Sequence, residues 1–229
     1  MKARFGTQPQ WFASLLPRDV AVVSVNAFEG VVPSSFSGIE AVVVTGSPQS
    51  VTDNPPWTAW WCEHLPLAGI PVLGVCFGAH LLGIAYGGRV ARGRTREIGT
   101  IGIEVTSAGQ ADPLLAGLPP SCRMHSSHRD DLVEVPPGSV VLARNGRGVQ
   151  AVRFAPLIYG VQFHPELTAD AMRVLLEVRA QEAAVTSPRA DGLEVAPIAD
   201  TPSGARLLGN FTALARDFAF YGADYACAG

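Results

Sequence analysis

The sequence predicts an α/β fold: a doubly wound, mostly parallel sheet with flanking helices. Three observations carry this expectation. Short, almost wholly apolar runs at 39–45, 72–75 and 157–163 have the length and composition of strands buried on both faces. The first run is followed by Gly-Ser-Pro, the second by Cys and the third by His-Pro, and the second passes directly into a stretch of helical period. The chain has 229 residues, 48% hydrophobic and 16% charged, enough for one sizeable core and too apolar for disorder.

The elements follow in order. Residues 1–18 are polar and helix- or loop-like, with Trp11, Phe12, Leu15 and Leu16 as a short apolar face. The run 20–25 (Val-Ala-Val-Val-Ser-Val) reads as the first strand and 39–45 as the next. Gly46 to Asp53 then form a tight loop, and Pro55-Pro56 introduce a helix over 57–65 whose Trp57, Trp60 and Trp61 read as core packing. After the strand at 72–75, residues 79–86 place Leu81, Leu82, Ala85 and Tyr86 on one helical face, and Gly87-Gly88 end it. Residues 89–96, with four arginines, read as a solvated face; 100–105 alternate as a strand, and 112–118 read as a short helix or turn. Two further strands are expected at 138–145 and 149–154, then an amphipathic helix at 169–180. The organisation expected is one α/β domain over 1–180, a linker rich in Pro, Ala, Asp and Gly over 181–206, and a helix in 207–229 (Leu208, Phe211, Leu214, Phe218) docking on the same domain.

Net charge of −3 gives no electrostatic reason to expect nucleic acid or an anionic membrane as partner. No apolar run approaches the roughly 18 residues of a membrane span. Cys62, Cys76, Cys122 and Cys227 lack the spacing of a disulfide framework and fit a reducing cytoplasm. The spacing of Cys62 and His64 with Cys122, His125 and His128 matches no recurrent zinc pattern, so neither metal nor cofactor is expected.

The chemistry centres on Cys76. It lies where an apolar strand turns into a helix, with Gly74 two residues before and Gly78 two after. This is nucleophile-elbow logic, with sulfur in place of the hydroxyl, and the helix N-terminus stabilises a thiolate. The alternative is a buried structural cysteine. A nucleophile needs a base and the base an orienting group. The strand at 157–163 ends in His164-Pro165-Glu166, so in a parallel sheet His164 and Cys76 share one edge and Glu166 can reach back to the far imidazole nitrogen.

Gly-Val-Cys-Phe-Gly-Ala-His at 74–80 and Gly-Val-Gln-Phe-His-Pro-Glu at 160–166 resemble the two signatures of class I (triad-type) glutamine amidotransferases. Within these the chain is similar to stand-alone domains like the amidotransferase part of GMP synthetase, over about residues 5–178. The resemblance implies a flavodoxin-like sheet, hydrolysis of the glutamine γ-amide through a cysteinyl thioester on Cys76, His164 and Glu166, and delivery of ammonia to a synthetase in a separate chain. It implies oxyanion donors in the backbone at Ser47, beside Gly46, and at Phe77. It places Ser127, His128, Arg129 and Asp130 at the substrate, with Arg129 where the family has Gly, and His80 where the family has a substrate-binding Gln. Glu97-Ile-Gly99 resembles a motif near the active-site mouth. Members usually open with a strand before the counterpart of Ala3-Arg-Phe-Gly6, so the first strand is expected to be missing, with the true start upstream or another segment in the slot. The changes at His80 and Arg129 keep open a γ-glutamyl peptidase or other γ-glutamyl C–N hydrolase, and a non-catalytic regulatory or binding subunit is the third alternative.

Overall fold

A computed structural model of the chain describes residues 7–186 and 192–222. Along the chain run α1 (Gln8–Leu15), β1 (Val42–Val44), α2 (Thr58–His64), β2 (Val72–Val75), α3 (Phe77–Ala85) and β3 (Arg89–Val105). They are followed by α4 (Ser107–Ala111), β4 (Ser121–Glu134), β5 (Val140–Arg144), β6 (Val149–Ala155), β7 (Ile158–Val161), α5 (Ala169–Thr186), β8 (Gly192–Val195) and α6 (Pro202–Tyr221). One sheet runs in the order β1-β2-β7-β6-β5-β3-β4, with β8 beside β3.

The sheet is mixed. The strands β1, β2 and β7 are parallel neighbours, β8 is parallel to β3, and the remaining pairings are antiparallel. The parallel part is therefore the part that presents strand ends to the site. All four residues of β2 are buried, because helices cover both faces. Leu73 and Val75 pack with Phe12 of α1 and with Leu207, Leu208, Phe211 and Leu214 of α6. Val72, one residue out of phase, packs on the other face with Trp61, Leu65, Phe77, Leu81 and Leu82. Each such large side chain, fully buried, contributes roughly 1.5–3 kcal/mol, so α6 is an integral layer of the fold.

Three expectations change. Residues 20–25 form no strand: they run as coil, with Val22, Val23 and Val25 exposed. Their β-branched composition favours a strand only when a neighbour is there to pair with. Among the described residues no strand precedes β1, and the sheet is unbroken from β1 to β4, so the gap that a lost central strand would leave is not found. The arginine run at 89–96 is no mere solvated face. Arg89, Arg92 and Arg94 do keep exposed side chains, but the backbone is the first half of the 17-residue β3, with Arg89–Arg92 paired to β4 and Thr95–Arg96 to β8. Residues 192–195, inside the stretch read as a linker, are β8 itself. No helix of the described residues is long and apolar enough to cross a membrane.

Candidate active site

Cys76 directly follows β2, with φ 51° and ψ −103°, a conformation non-glycine residues rarely adopt. Its N–H donates to Val161 O at 2.8 Å, so the strained residue is pinned by the neighbouring strand. The two glycines are there for space. A Cβ on Gly74 would lie 2.5 Å from the Gly78 backbone, and one on Gly78 would lie 2.1 Å from Val44 O. The helix α3 begins immediately after the sulfur, and its first N–H, that of Phe77, has no acceptor within the helix.

The register of β2 with β7 pairs Val75 with Val161, which brings the residues beyond both strands to one edge. His164 is fixed there by its N–H, which donates to His125 O at 2.7 Å. Its Nδ1 lies 2.7 Å from Glu166 Oε1, which leaves Nε2 for the sulfur. All three side chains are buried, Glu166 at 2% exposure. Burial opposes a charge on His164, yet the Glu166 carboxylate and the hydrogen bond to Cys76 push it from 6.5 up to about 10. Burial likewise opposes ionisation of Cys76, but the hydrogen bond and charge of His164, with the charge of His128 behind, hold the thiol below its usual value. Both shifts favour a thiolate facing an imidazolium, an arrangement suited to attack on a carbonyl carbon.

A cleft of about 240 Å³ opens over the sulfur, with Ser47, Phe77, His80, Ser127, His128 and Asp130 among its walls. A family model for class-I glutamine amidotransferases matches residues 14–177. The chain belongs to that family. It is 32% identical over 159 residues to one of the subunits of the glutamine-hydrolyzing GMP synthase of Thermococcus kodakarensis, covering 68% of this chain and 76% of that one. It is 36% identical over 168 residues to the GMP synthase of Pyrobaculum aerophilum, covering 71% of this chain but 32% of that one, so it spans about a third of the length of such longer relatives. In structure it is similar to a GMP synthase-like protein from Thermoplasma acidophilum, with a TM-score of 0.67, 18% identity, and coverage of 93% of this chain and 90% of that one. A glutamine amidotransferase from Thermotoga maritima superposes with a TM-score of 0.57 at 22% identity, over 76% of each chain.

In this glutamine amidotransferase domain the walls of the cleft differ in what they offer. Ser47 borders it through the loop after β1, and its Oγ accepts from Gln49 N–H at 3.1 Å. Gly46 lies so close to His164 that a Cβ there would meet its Cε1 at 2.9 Å. Ser127 lines the cleft, and its buried Oγ has no hydrogen-bond partner among the described residues. Asp130 is held across the cleft by Ser50 Oγ and by Arg92 Nε at 3.6 Å. Arg129 borders the cleft, half-buried, with its Nε donating to Gly93 O at 3.2 Å. His80 also reaches the cleft, but its Nε2 is engaged with Gln162 at 2.7 Å.

His128 has both ring nitrogens committed. Nε2 lies 2.9 Å from Glu97, and Nδ1 lies 3.0 Å from Asp130 O and 3.3 Å from Asp131. Arg147 braces this group by donating to Asp131 at 3.0 Å, and Asn145 donates to Glu97 at 3.2 Å. Burial alone would depress His128, but the bonds to Asp131 and Glu97 raise it from 6.5 to about 9. Its folded value lies above the unfolded one, so its contribution to stability is complete below about pH 6.5 and is lost as pH rises through about 9. A shift of that size corresponds to on the order of 3 kcal/mol. Urea unfolding of wild type and His128→Gln should therefore show the largest difference at or below pH 6.5, shrinking towards pH 10. A difference independent of pH would mean that His128 is not a buried cation.

Sequence reasoning passed over Gln162, Asp131 and Arg147. Gln162 carried a signal, being the one polar side chain in the apolar run 157–163 apart from the Tyr159 hydroxyl. Asp131 and Arg147 carried none, since their significance depends on β4 and the β5–β6 turn meeting in space.

Proposed function

We propose that the chain hydrolyses the γ-amide of L-glutamine through a cysteinyl thioester and supplies the ammonia to a separate synthetase chain. The observation that carries this reading is the buried Cys76–His164–Glu166 line at the floor of a polar cleft, in a family member. The Cys76 thiolate attacks the amide carbon, and the oxyanion that forms is met by the backbone N–H groups of Phe77 and Ser47. Each such donor is worth roughly 3 kcal/mol of barrier. The His164 imidazolium gives its proton to the departing ammonia, then as neutral imidazole takes one from the water that hydrolyses the thioester. Glu166 keeps the Nδ1–H tautomer and stabilises the imidazolium. Ser127 Oγ offers the substrate a hydrogen bond, while His128 acts through its charge. The likeness to one of the GMP synthase subunits supports a partner synthetase, and the reduced nucleophile fits a cytoplasmic setting.

A second reading, hydrolysis of a γ-glutamyl bond to a larger amine, is favoured by one feature: Arg92, Arg96, Arg129 and Arg179 all border the mouth, where a carboxylate on the leaving amine would meet guanidinium groups. Intact-protein mass after treatment with a glutamine-mimicking alkylator separates the two. The expected result is a single adduct on Cys76, suppressed by excess L-glutamine and absent in His164→Ala. No adduct, while a small neutral thiol reagent still labels Cys76 rapidly, would remove glutamine as substrate and direct the search to γ-glutamyl peptides.

A further inference from the structure

Gln162 is a polar side chain only 4% exposed. The backbone fixes where it stands. Val161 pairs with Val75, so the next residues along, Gln162 and Cys76, lie side by side beyond the ends of β7 and β2. Gln162 N–H donates to Gln150 O at 2.9 Å, which ties the residue to β6 on its other flank. The side chain then spans two groups of the site. Oε1 lies 2.7 Å from His80 Nε2, and Nε2 lies 3.9 Å from Cys76 Sγ, within reach of an N–H···S hydrogen bond.

A carboxamide has two ends of opposite character, and only one orientation suits a thiolate. With N–H towards sulfur the amide stabilises the negative charge; reversed, a carbonyl oxygen faces it and repels it. The choice is made at His80. Burial keeps its imidazole neutral, so it carries one N–H. With that proton on Nε2 it donates to Gln162 Oε1 and the amide must present N–H to the sulfur. His80 is itself tied to the nucleophile, since it stands four residues into the same elbow and its N–H donates to Cys76 O at 3.1 Å.

We propose that Gln162 is a hydrogen-bond donor to the Cys76 thiolate and that His80 is a positioning residue which locks the carboxamide in the donating orientation. The inference rests on Cys76 being an ionised nucleophile, the reading proposed above, but not on the identity of the substrate. The charged groups facing the sulfur are His164 and Glu166 beyond β7 and His128 on β4; those facing His80 are His128, Asp130 and Asp131, all on β4. None of these is altered by the substitutions below, so a change in the thiol is assignable to the relay.

The test is the pH dependence of Cys76 alkylation by iodoacetamide in the full chain, read by mass on the Cys76 peptide so that Cys62, Cys122 and Cys227 do not contribute. Wild type, Gln162→Leu, His80→Leu and His80→Gln are compared. The apparent pKa of alkylation is expected to rise by about one unit in Gln162→Leu and in His80→Leu, so that labelling at a pH below both values slows about tenfold. His80→Gln keeps an N–H able to donate to Gln162 Oε1 and is expected to restore most of the wild-type profile. A structural role alone would shift thermal stability and leave the profile in place. Superimposable profiles for wild type and folded Gln162→Leu overturn the proposal. Should Gln162→Leu fail to fold, the histidine pair decides: a rise confined to His80→Leu supports the relay, and equal profiles for the two variants overturn it. A wild-type thiol with an ordinary pKa would instead refute the ionised nucleophile, a failure of the earlier reading visible before any variant is made.

Discussion

Glu166→Gln is expected to lower kcat by about three to four orders of magnitude while leaving KM within a few-fold. The carboxylate does two things that a carboxamide cannot. Oε1, 2.7 Å from His164 Nδ1, accepts a proton-bearing nitrogen and so holds Nε2 towards Cys76. A carboxamide in that place can turn its own N–H towards Nδ1, which puts the imidazole proton on the wrong nitrogen. The carboxylate also supplies the charge that, against burial, lifts His164 to about 10. Without it the imidazolium loses its buried counter-charge, the proton returns to sulfur at neutral pH, and the thiolate is no longer the resting state. Glu166 itself raises the Cys76 thiol somewhat by like-charge repulsion, but that effect comes after those of His164 and His128. Stopped-assay kcat and KM for wild type and variant on the active substrate decide the matter. A loss of less than tenfold would mean that His164 is oriented by the His125 carbonyl and the surrounding packing, with Glu166 a bystander.

The proximity of Cys76, His164 and Glu166, the proposed catalytic line, was readable from the sequence because each part leaves a local trace. Gly74 and Gly78 flank Cys76 for want of space, and His164 and Glu166 follow directly on a run too apolar to be anything but an inner strand. The rest of the site is a product of pairing across the sheet, which one-dimensional pattern does not carry. Arg89 to Arg96 look solvated when read along the chain, and Arg89, Arg92 and Arg94 are exposed, yet pairing to β4 at 89–92 and to β8 at 95–96 builds the run into a strand whose Arg92 and Arg96 border the cleft. Val20 to Val25 fail in the opposite sense: the composition favours a strand, but none forms where no pairing neighbour is described. His128 was legible as a polar residue of the expected site and not as a fixed cation, because its partner Glu97 sits on β3, whose register with β4 is set by long-range contacts. His80 shows the same limit. The helix placed it correctly at the cleft, and only the β2–β7 register revealed that it faces Gln162.

The elbow itself is the place where one methyl group should do most damage to fold and chemistry together. In Gly78→Ala the new Cβ would fall 2.1 Å from Val44 O and 2.8 Å from Val44 C, contacts with backbone that no rotamer change relieves. Either β1 moves away from β2 or the first turn of α3 lifts off, and both shift Cys76 relative to His164. Overpacking against rigid backbone costs typically 1–3 kcal/mol and occasionally more, and this site is expected at or above the top of that range. A displacement of about 1 Å at the nucleophile costs on the order of a hundredfold in rate. Gly83→Ala is the graded comparison: its Cβ would meet Leu132 Cδ1 at 2.8 Å, the far end of a flexible side chain that can turn aside. Gly209→Ala is the opposite control, since nothing lies within 4 Å of its Cβ in the interior of α6 and the helix should gain roughly 0.5–1 kcal/mol. Urea midpoints should therefore fall in the order Gly209→Ala, wild type, Gly83→Ala, Gly78→Ala, and the rate of Cys76 alkylation should drop sharply only in the last. If Gly78→Ala matches wild type in both midpoint and alkylation, the strand–helix junction is looser than its contacts with Val44 require, and the positive φ of Cys76 is not enforced by packing.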